Sequence, residues 1–257
     1  MRQKIIVANW KMYKTLSEAE EFMGSLPREI AGVDDVKAVV CAPFLFLERL
    51  AVLTAKTAIS LGAQNMHWEK EGAFTGEISP VMLKDLGIKY VIIGHSERRQ
   101  FFGESNFQIN KKLAAAFAYG LIPILCVGEN RRQRDAGETE EVIEKQLNSA
   151  LDGLAVEKDL LQKMVLAYEP VWAIGSGTPA NGEEANVVAA FMRSLLLKKG
   201  QEVSRKVSIL YGGSVNPENI AEFTDKAEID GALVGGSSLN VKTFAALIRI
   251  ASSERRT

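Results

Sequence analysis

Short apolar runs rich in β-branched residues recur along the chain, at residues 5–8, 36–41, 58–63, 90–93, 122–127, 164–168, 207–211 and 231–234. A strand with one wet face would alternate apolar with polar residues; continuous runs fit parallel strands covered on both faces. Between them the pattern turns helical: Phe22, Leu26 and Ile30 recur every four residues and give one buried stripe. Ser17 with Glu20 and Ser105 with Gln108 have the spacing of capping boxes, and Asn216-Pro217 sets a cap before a proline at the first helical position. The order predicts βα repeated eight times over residues 1–257, an α/β fold with a parallel eight-stranded core, the (β/α)8 barrel. A doubly wound open sheet alternates in the same way, but it usually carries a phosphate fingerprint after its first strand, where this chain has Asn9-Trp10-Lys11.

One connection is longer than the rest, the polar and aromatic stretch 65–79 after the third run. Loops of that length are usually functional. Leaving its Trp68 and Phe74 in water is unfavourable, so the stretch is expected to dock, either on its own barrel or on a second copy of the protein.

Composition narrows the field. At 257 residues, with 47% hydrophobic and 25% charged, the chain can bury a sizeable core and fits one barrel. Lys and Arg total 31 against 32 Asp and Glu, so the net charge of -1 exerts no pull toward nucleic acid or an anionic membrane, and neither is expected as a partner. Cys41 and Cys126 lie in apolar runs and read as buried thiols in a reducing compartment. With no leader-like N-terminus and no stretch of about 18 apolar residues, a cytoplasmic protein is expected. Only His67 and His95 occur, which argues against a histidine-based metal site, and the 131–134 run and Arg255-Arg256 read as solvated surface.

Catalytic groups on a barrel sit where strands end, on the C-terminal face. Asn9 and Lys11 end the first run two residues apart, so strand periodicity points both toward the mouth. His95 closes the fourth run, and Ser96 after it can cap a helix whose positive end favours a neutral imidazole. Glu169 ends an apolar strand just before Pro170, and burial there is expected to raise its pKa toward that of a general base. Residues 170–179, apolar with proline near both ends and glycines between, have the composition of a lid. Gly212-Gly213-Ser214 and Gly235-Gly236-Ser237 follow the seventh and eighth runs, where main-chain N–H groups on a barrel converge on phosphate. Taken alone, these residues also fit another sugar-phosphate enzyme, or a barrel that binds a phosphorylated ligand without turnover.

Together, Asn9-Trp10-Lys11, the segment from Gly94 to Arg99, that from Ala167 to Gly175, Tyr211 to Val215, and Val234-Gly235-Gly236 resemble the triosephosphate isomerase family, in its order and over essentially the whole chain. The resemblance implies interconversion of dihydroxyacetone phosphate and D-glyceraldehyde 3-phosphate through an enediol(ate), without a cofactor or metal, in glycolysis and gluconeogenesis. It implies Glu169 as the base, His95 as the group that polarises the oxygens, Lys11 as the offsetting charge and Asn9 as an orienting group. Ser96 and Glu97 would support them from behind, and Gly175, Ser214, Gly235 and Gly236 would hold the phosphate. It further implies a homodimer in which Thr75 on the long loop reaches the neighbouring subunit's site. The chain departs from the family at Ser176-Gly177-Thr178-Pro179, where many relatives carry a threonine, a glycine and a basic residue followed by threonine, and that departure bears on the kinetics of lid closure.

Overall fold

A computed structural model of the protein describes residues 2–173 and 180–252. The predicted runs form β1 (Lys4–Asn9), β2 (Val36–Ala42), β3 (Ser60–Ala63), β4 (Tyr90–Ile93), β5 (Ile122–Val127), β6 (Val165–Tyr168), β7 (Ser208–Tyr211) and β8 (Gly231–Val234). They pair in chain order, all parallel, into a closed barrel in which β8 returns to β1 with Ile5 opposite Gly231 and Ala8 opposite Val234. This is the (β/α)8 fold with helices around it.

Each strand feeds two cores, which is why its run is unbroken. Ile5, Val7, Ile124, Cys126, Val165 and Ala167 belong to the barrel interior, while Ile6, Ala8, Leu125 and Leu166 belong to the larger layer against the helices. Counting two residues onward from each inward pair reaches Asn9, Gly128 and Glu169; the same step from Leu210 and Leu233 reaches Gly212 and Gly235. On these five strands the inward position at the C-terminal rim is therefore either polar or a glycine, and the packed interior opens there into a mouth. Both cysteines are buried free thiols.

The first helix, Leu16–Glu29, corrects the Ser17–Glu20 expectation, because its capping box joins Thr15 to Glu18. Lys14, in the left-handed region at φ 73°, turns the chain immediately ahead of Thr15 and so selects the earlier of two similar spacings. The Ser105–Gln108 box forms as expected, ahead of the helix Asn106–Ala118. Asn216 caps a turn, its Oδ1 accepting from the N–H groups of Glu218 (3.1 Å) and Asn219 (3.0 Å), but regular helix starts only at Ile220.

In the long connection, Trp68 stacks on His67 at 4.1 Å and packs against the core, with the Lys111 ammonium 5.2 Å from its ring. The tip from residue 69 to 77, with Thr75, is exposed, and Phe74 remains 43% exposed. The loop thus folds partly on its own barrel and leaves its tip free. Among the described residues no helix is long and apolar enough to cross a membrane.

Candidate active site

Asn9, Lys11, His95, Glu169, Ser214, Gly235 and Gly236 line one cavity of about 320 Å3 at the C-terminal ends of the strands. They come from positions as far apart in sequence as β1 and β8, brought together by the closure of the sheet.

Glu169 is 2% exposed, and its two oxygens are occupied: Oε2 accepts from the Ser96 main-chain N–H at 2.8 Å, and Oε1 lies 3.0 Å from His95 Nε2. Burial alone would raise its pKa, but electrostatic attraction to His95, together with the hydrogen bonds from His95 and Ser96, outweighs burial and holds the carboxyl below the ordinary 4.5. The expected upward shift is thus corrected for this resting geometry. The partners responsible come from just beyond the end of β4, Ser96 being 73 residues away in sequence.

His95, not Ser96, occupies the cap position of the helix Ser96–Phe101. Its Nδ1 accepts from the Glu97 N–H at 3.3 Å, which requires a lone pair there and leaves the proton on Nε2, facing Glu169. Burial lowers the imidazole pKa, while the charges of Glu169 and Glu97 and the hydrogen bond to Glu169 raise it, and the net direction is upward. The geometry is that of a neutral tautomer, and the carboxylates facing it oppose the neutral form that the helix end favours.

Lys11 reaches the cavity differently from its expected strand register. β1 ends at Asn9, and Lys11 sits beyond it at φ 51°, with its N–H donating to Asn9 Oδ1 at 3.1 Å. Its ammonium pairs with Glu97 Oε1 at 2.5 Å, so Glu97 serves both the lysine and the histidine. A Cβ on Gly235 would come within 3.3 Å of Lys11 Cε, so a glycine there leaves the lysine stem its space. Gly212 does the same for Glu169, whose Cγ would be 2.9 Å from an added Cβ. The glycines after β7 and β8, read from sequence as anion turns, therefore also make room for reactive side chains.

The start of the proposed lid is the short turn Val171–Ala173, and Ser214 Oγ donates to Ala173 O at 3.2 Å, joining that turn to the loop after β7. Gly175 and the segment Ser176-Gly177-Thr178-Pro179 lie outside the described residues, as does Arg255-Arg256.

Several residues around the site escaped the sequence reading. Gln64 Nε2 donates to Lys11 O (2.9 Å) and Cys41 O (3.0 Å), pinning the turn that carries the lysine. Glu129 Oε1 accepts from Trp172 Nε1 at 2.8 Å and Tyr168 OH at 3.1 Å. Arg134 is not simply solvated: it lies 5.0 Å over the Trp172 ring and 3.1 Å from Glu184. Gln64 and Glu129 follow strands closely, so the strand-end rule could have found them; Arg134 had no local signal.

Residues 4–251 match the family model described as triosephosphate isomerase. The triosephosphate isomerase of Dictyoglomus thermophilum is 56% identical over 250 residues, covering 97% of this chain and 100% of that protein. That of Dictyoglomus turgidum is likewise 56% identical with the same coverage, and that of Carboxydothermus hydrogenoformans is 51% identical over 97% of this chain and 99% of its own length.

Proposed function

Since the chain belongs to the triosephosphate isomerase family and is an aldose–ketose isomerase that interconverts dihydroxyacetone phosphate and D-glyceraldehyde 3-phosphate in glycolysis, we propose the following division of labour in its cavity. The observation that carries it is the meeting of Glu169 with His95 and the Ser96 N–H opposite the glycine turns after β7 and β8.

At rest the two donors hold the carboxylate as a weak base. The substrate's carbonyl and hydroxyl oxygens take over the His95 Nε2–H, and Glu169, released, turns toward the substrate carbon. Losing its donors, the carboxylate becomes more basic as it reaches the proton it must remove. It then returns that proton to the adjacent carbon, while the imidazole serves the two oxygens in turn. Lys11 exchanges Glu97 for the developing oxyanion, and Asn9 fixes the oxygens' orientation. Main-chain N–H groups of Gly175, Ser214, Gly235 and Gly236 take the phosphodianion and so orient the substrate. Lid closure expels water, which strengthens these interactions and protects the enediolate from losing phosphate.

Turnover of D-glyceraldehyde 3-phosphate in a coupled assay tests this division through Lys11→Met. With the cation gone, kcat should fall about 10²-fold and KM should rise. Parent-like kinetics would remove Lys11 from the chemistry.

The protein acts as a cytoplasmic homodimer in this reading. Exposed apolar side chains come from connections after four neighbouring strands: Met12 after β1 (95% exposed), Leu45 after β2 (89%), Phe74 after β3 (43%) and Phe102 after β4 (70%). Because β1 to β4 are neighbours in the barrel, a second copy seated against that side would cover them and receive the Thr75 tip. Thr75→Arg, which forces a charge into that contact, should weaken association at least about tenfold in sedimentation equilibrium. An unchanged dimer would assign the interface elsewhere.

A further inference from the structure

We infer that Gln146 is a positioning residue for Glu169, acting through the main chain of Gly128. This rests on Glu169 being the base.

Gly128 is the residue after β5 on the inward count, and the main chain of Glu169 lies almost upon it. A Cβ at position 128 would fall 1.7 Å from Glu169 O and 3.2 Å from Glu169 Cα. The two segments are also tied on either side of that approach, Glu169 N–H donating to Val127 O at 2.8 Å and Val171 N–H to Glu129 O at 3.0 Å. The peptide groups of Val127 and Glu129 thus face β6, and those of Gly128 face the other way, past the end of β4. There the Gln146 side chain meets both: its Oε1 accepts from the Gly128 N–H at 2.9 Å, and its Nε2 donates to Gly128 O at 3.1 Å.

A primary amide presents one acceptor and one donor side by side, as a neighbouring strand would, so Gln146 continues the sheet where β4 has stopped. Its helix, Thr139–Leu151, is fixed by buried Ile143, Leu147 and Ala150, so the amide is held by a packed element. The consequence reaches the base. Glu169 must leave Ser96 and His95 and swing about its own Cα, and the height of that pivot over the mouth is set by the plane of Gly128. The turn after β7 meets β6 from the other side, Gly212 N–H donating to Tyr168 O at 2.7 Å, and Gln146 itself bonds to neither glycine turn.

Gln146 lies on the wall of a separate cavity of about 640 Å3, shared with Ser96, Arg99, Lys145 and Val171. Water from that side can satisfy Gly128 once the amide is gone, so the barrel should survive its loss while the pivot loosens.

Gln146→Met keeps length and helix propensity and removes both bonds. Its kcat should fall about tenfold, as for a base displaced by a fraction of an ångström, with KM and competitive inhibition by inorganic phosphate within about twofold of the parent. A parent-like kcat, or a phosphate inhibition constant that worsens as much as kcat, would overturn the inference. Gln146→Glu supplies a second reading: ionised, the new carboxylate repels Gly128 O, whereas protonated it offers the same acceptor and donor as the amide. Its kcat deficit relative to the parent at each pH should narrow between about pH 7 and about pH 4.5, as the pH approaches the ordinary glutamate range, and a ratio constant over that window would equally overturn the inference. Glu169→Gln is measured alongside; if that variant stays active the base assignment fails, whereas an inactive Glu169→Gln beside a parent-like Gln146→Met fails this inference alone.

Discussion

Glu169→Gln should give a folded barrel whose turnover is lower by about 10³-fold, the general-base contribution being removed while shape is kept. The coupled isomerase assay reads the loss, and turnover near the parent's would remove Glu169 from the reaction. The amide fits the same volume, but it cannot take a proton from carbon, and it brings one donor where the carboxylate had only acceptors. One of its faces must therefore meet Ser96 N–H or His95 Nε2 badly. The same substitution has a pH signature in stability. Because the folded-state pKa of Glu169 is depressed below 4.5, its ionised form contributes stability above that value, and the contribution is lost as pH falls through the lower folded pKa. The stability difference between parent and Glu169→Gln in denaturant should accordingly shrink in acid and be steady near neutrality. A difference independent of pH across the acid range would mean that the carboxylate is not held by these donors.

Gly231→Ala should act on stability and leave the chemistry intact. Gly231 opens β8 at φ 148°, in a region side chains rarely occupy, and an added Cβ would lie 1.8 Å from Ile5 O. This is the seam where the barrel closes, with Ile5 N–H donating to Asp230 O at 2.9 Å beside it. Asp230 is itself held at that seam by Arg2 (2.7 Å) and Arg193 (3.2 Å). Relief requires β1 and β8 to part, and the combined strain and lost pairing should cost about 4 kcal/mol. That corresponds to a thermal midpoint about 10 °C lower for a chain of this size. Since Gly231 lies at the opposite end of β8 from the cavity, the folded fraction should keep the parent's kcat. A midpoint within about 2 °C of the parent would show that the seam yields.

The parts of this protein that could be read from sequence are those fixed by local rules. Every strand was visible because two-sided burial makes it a continuous apolar run, and strand ends then picked out Asn9, His95 and Glu169. Most of what failed depended on partners distant in sequence. Burial of Glu169 was legible, but the donors that reverse its pKa shift enter from β4. Lys11 was placed correctly for an incomplete reason, since a left-handed turn held by Gln64, and not strand register, delivers it to the cavity. The Ser17–Glu20 spacing competed with Thr15–Glu18 on equal local terms until the turn at Lys14 decided between them. Gln146 left no trace in the pattern, because an amide that bonds a remote main chain looks like any half-exposed helical glutamine.

The two-residue count along the strands also fixes which changes of chain length this enzyme can tolerate. Removing one residue within β6 would exchange the barrel-facing and helix-facing sets beyond the cut and turn the carboxylate of Glu169 out of the mouth, although its composition would hardly change. The exposed tip at 69–77 carries no such parity. Insertions and deletions in a lineage that keeps this activity should therefore gather in connections and spare the strands, so that the reading frame of the barrel, as much as the identity of its reactive residues, is what descent has had to preserve.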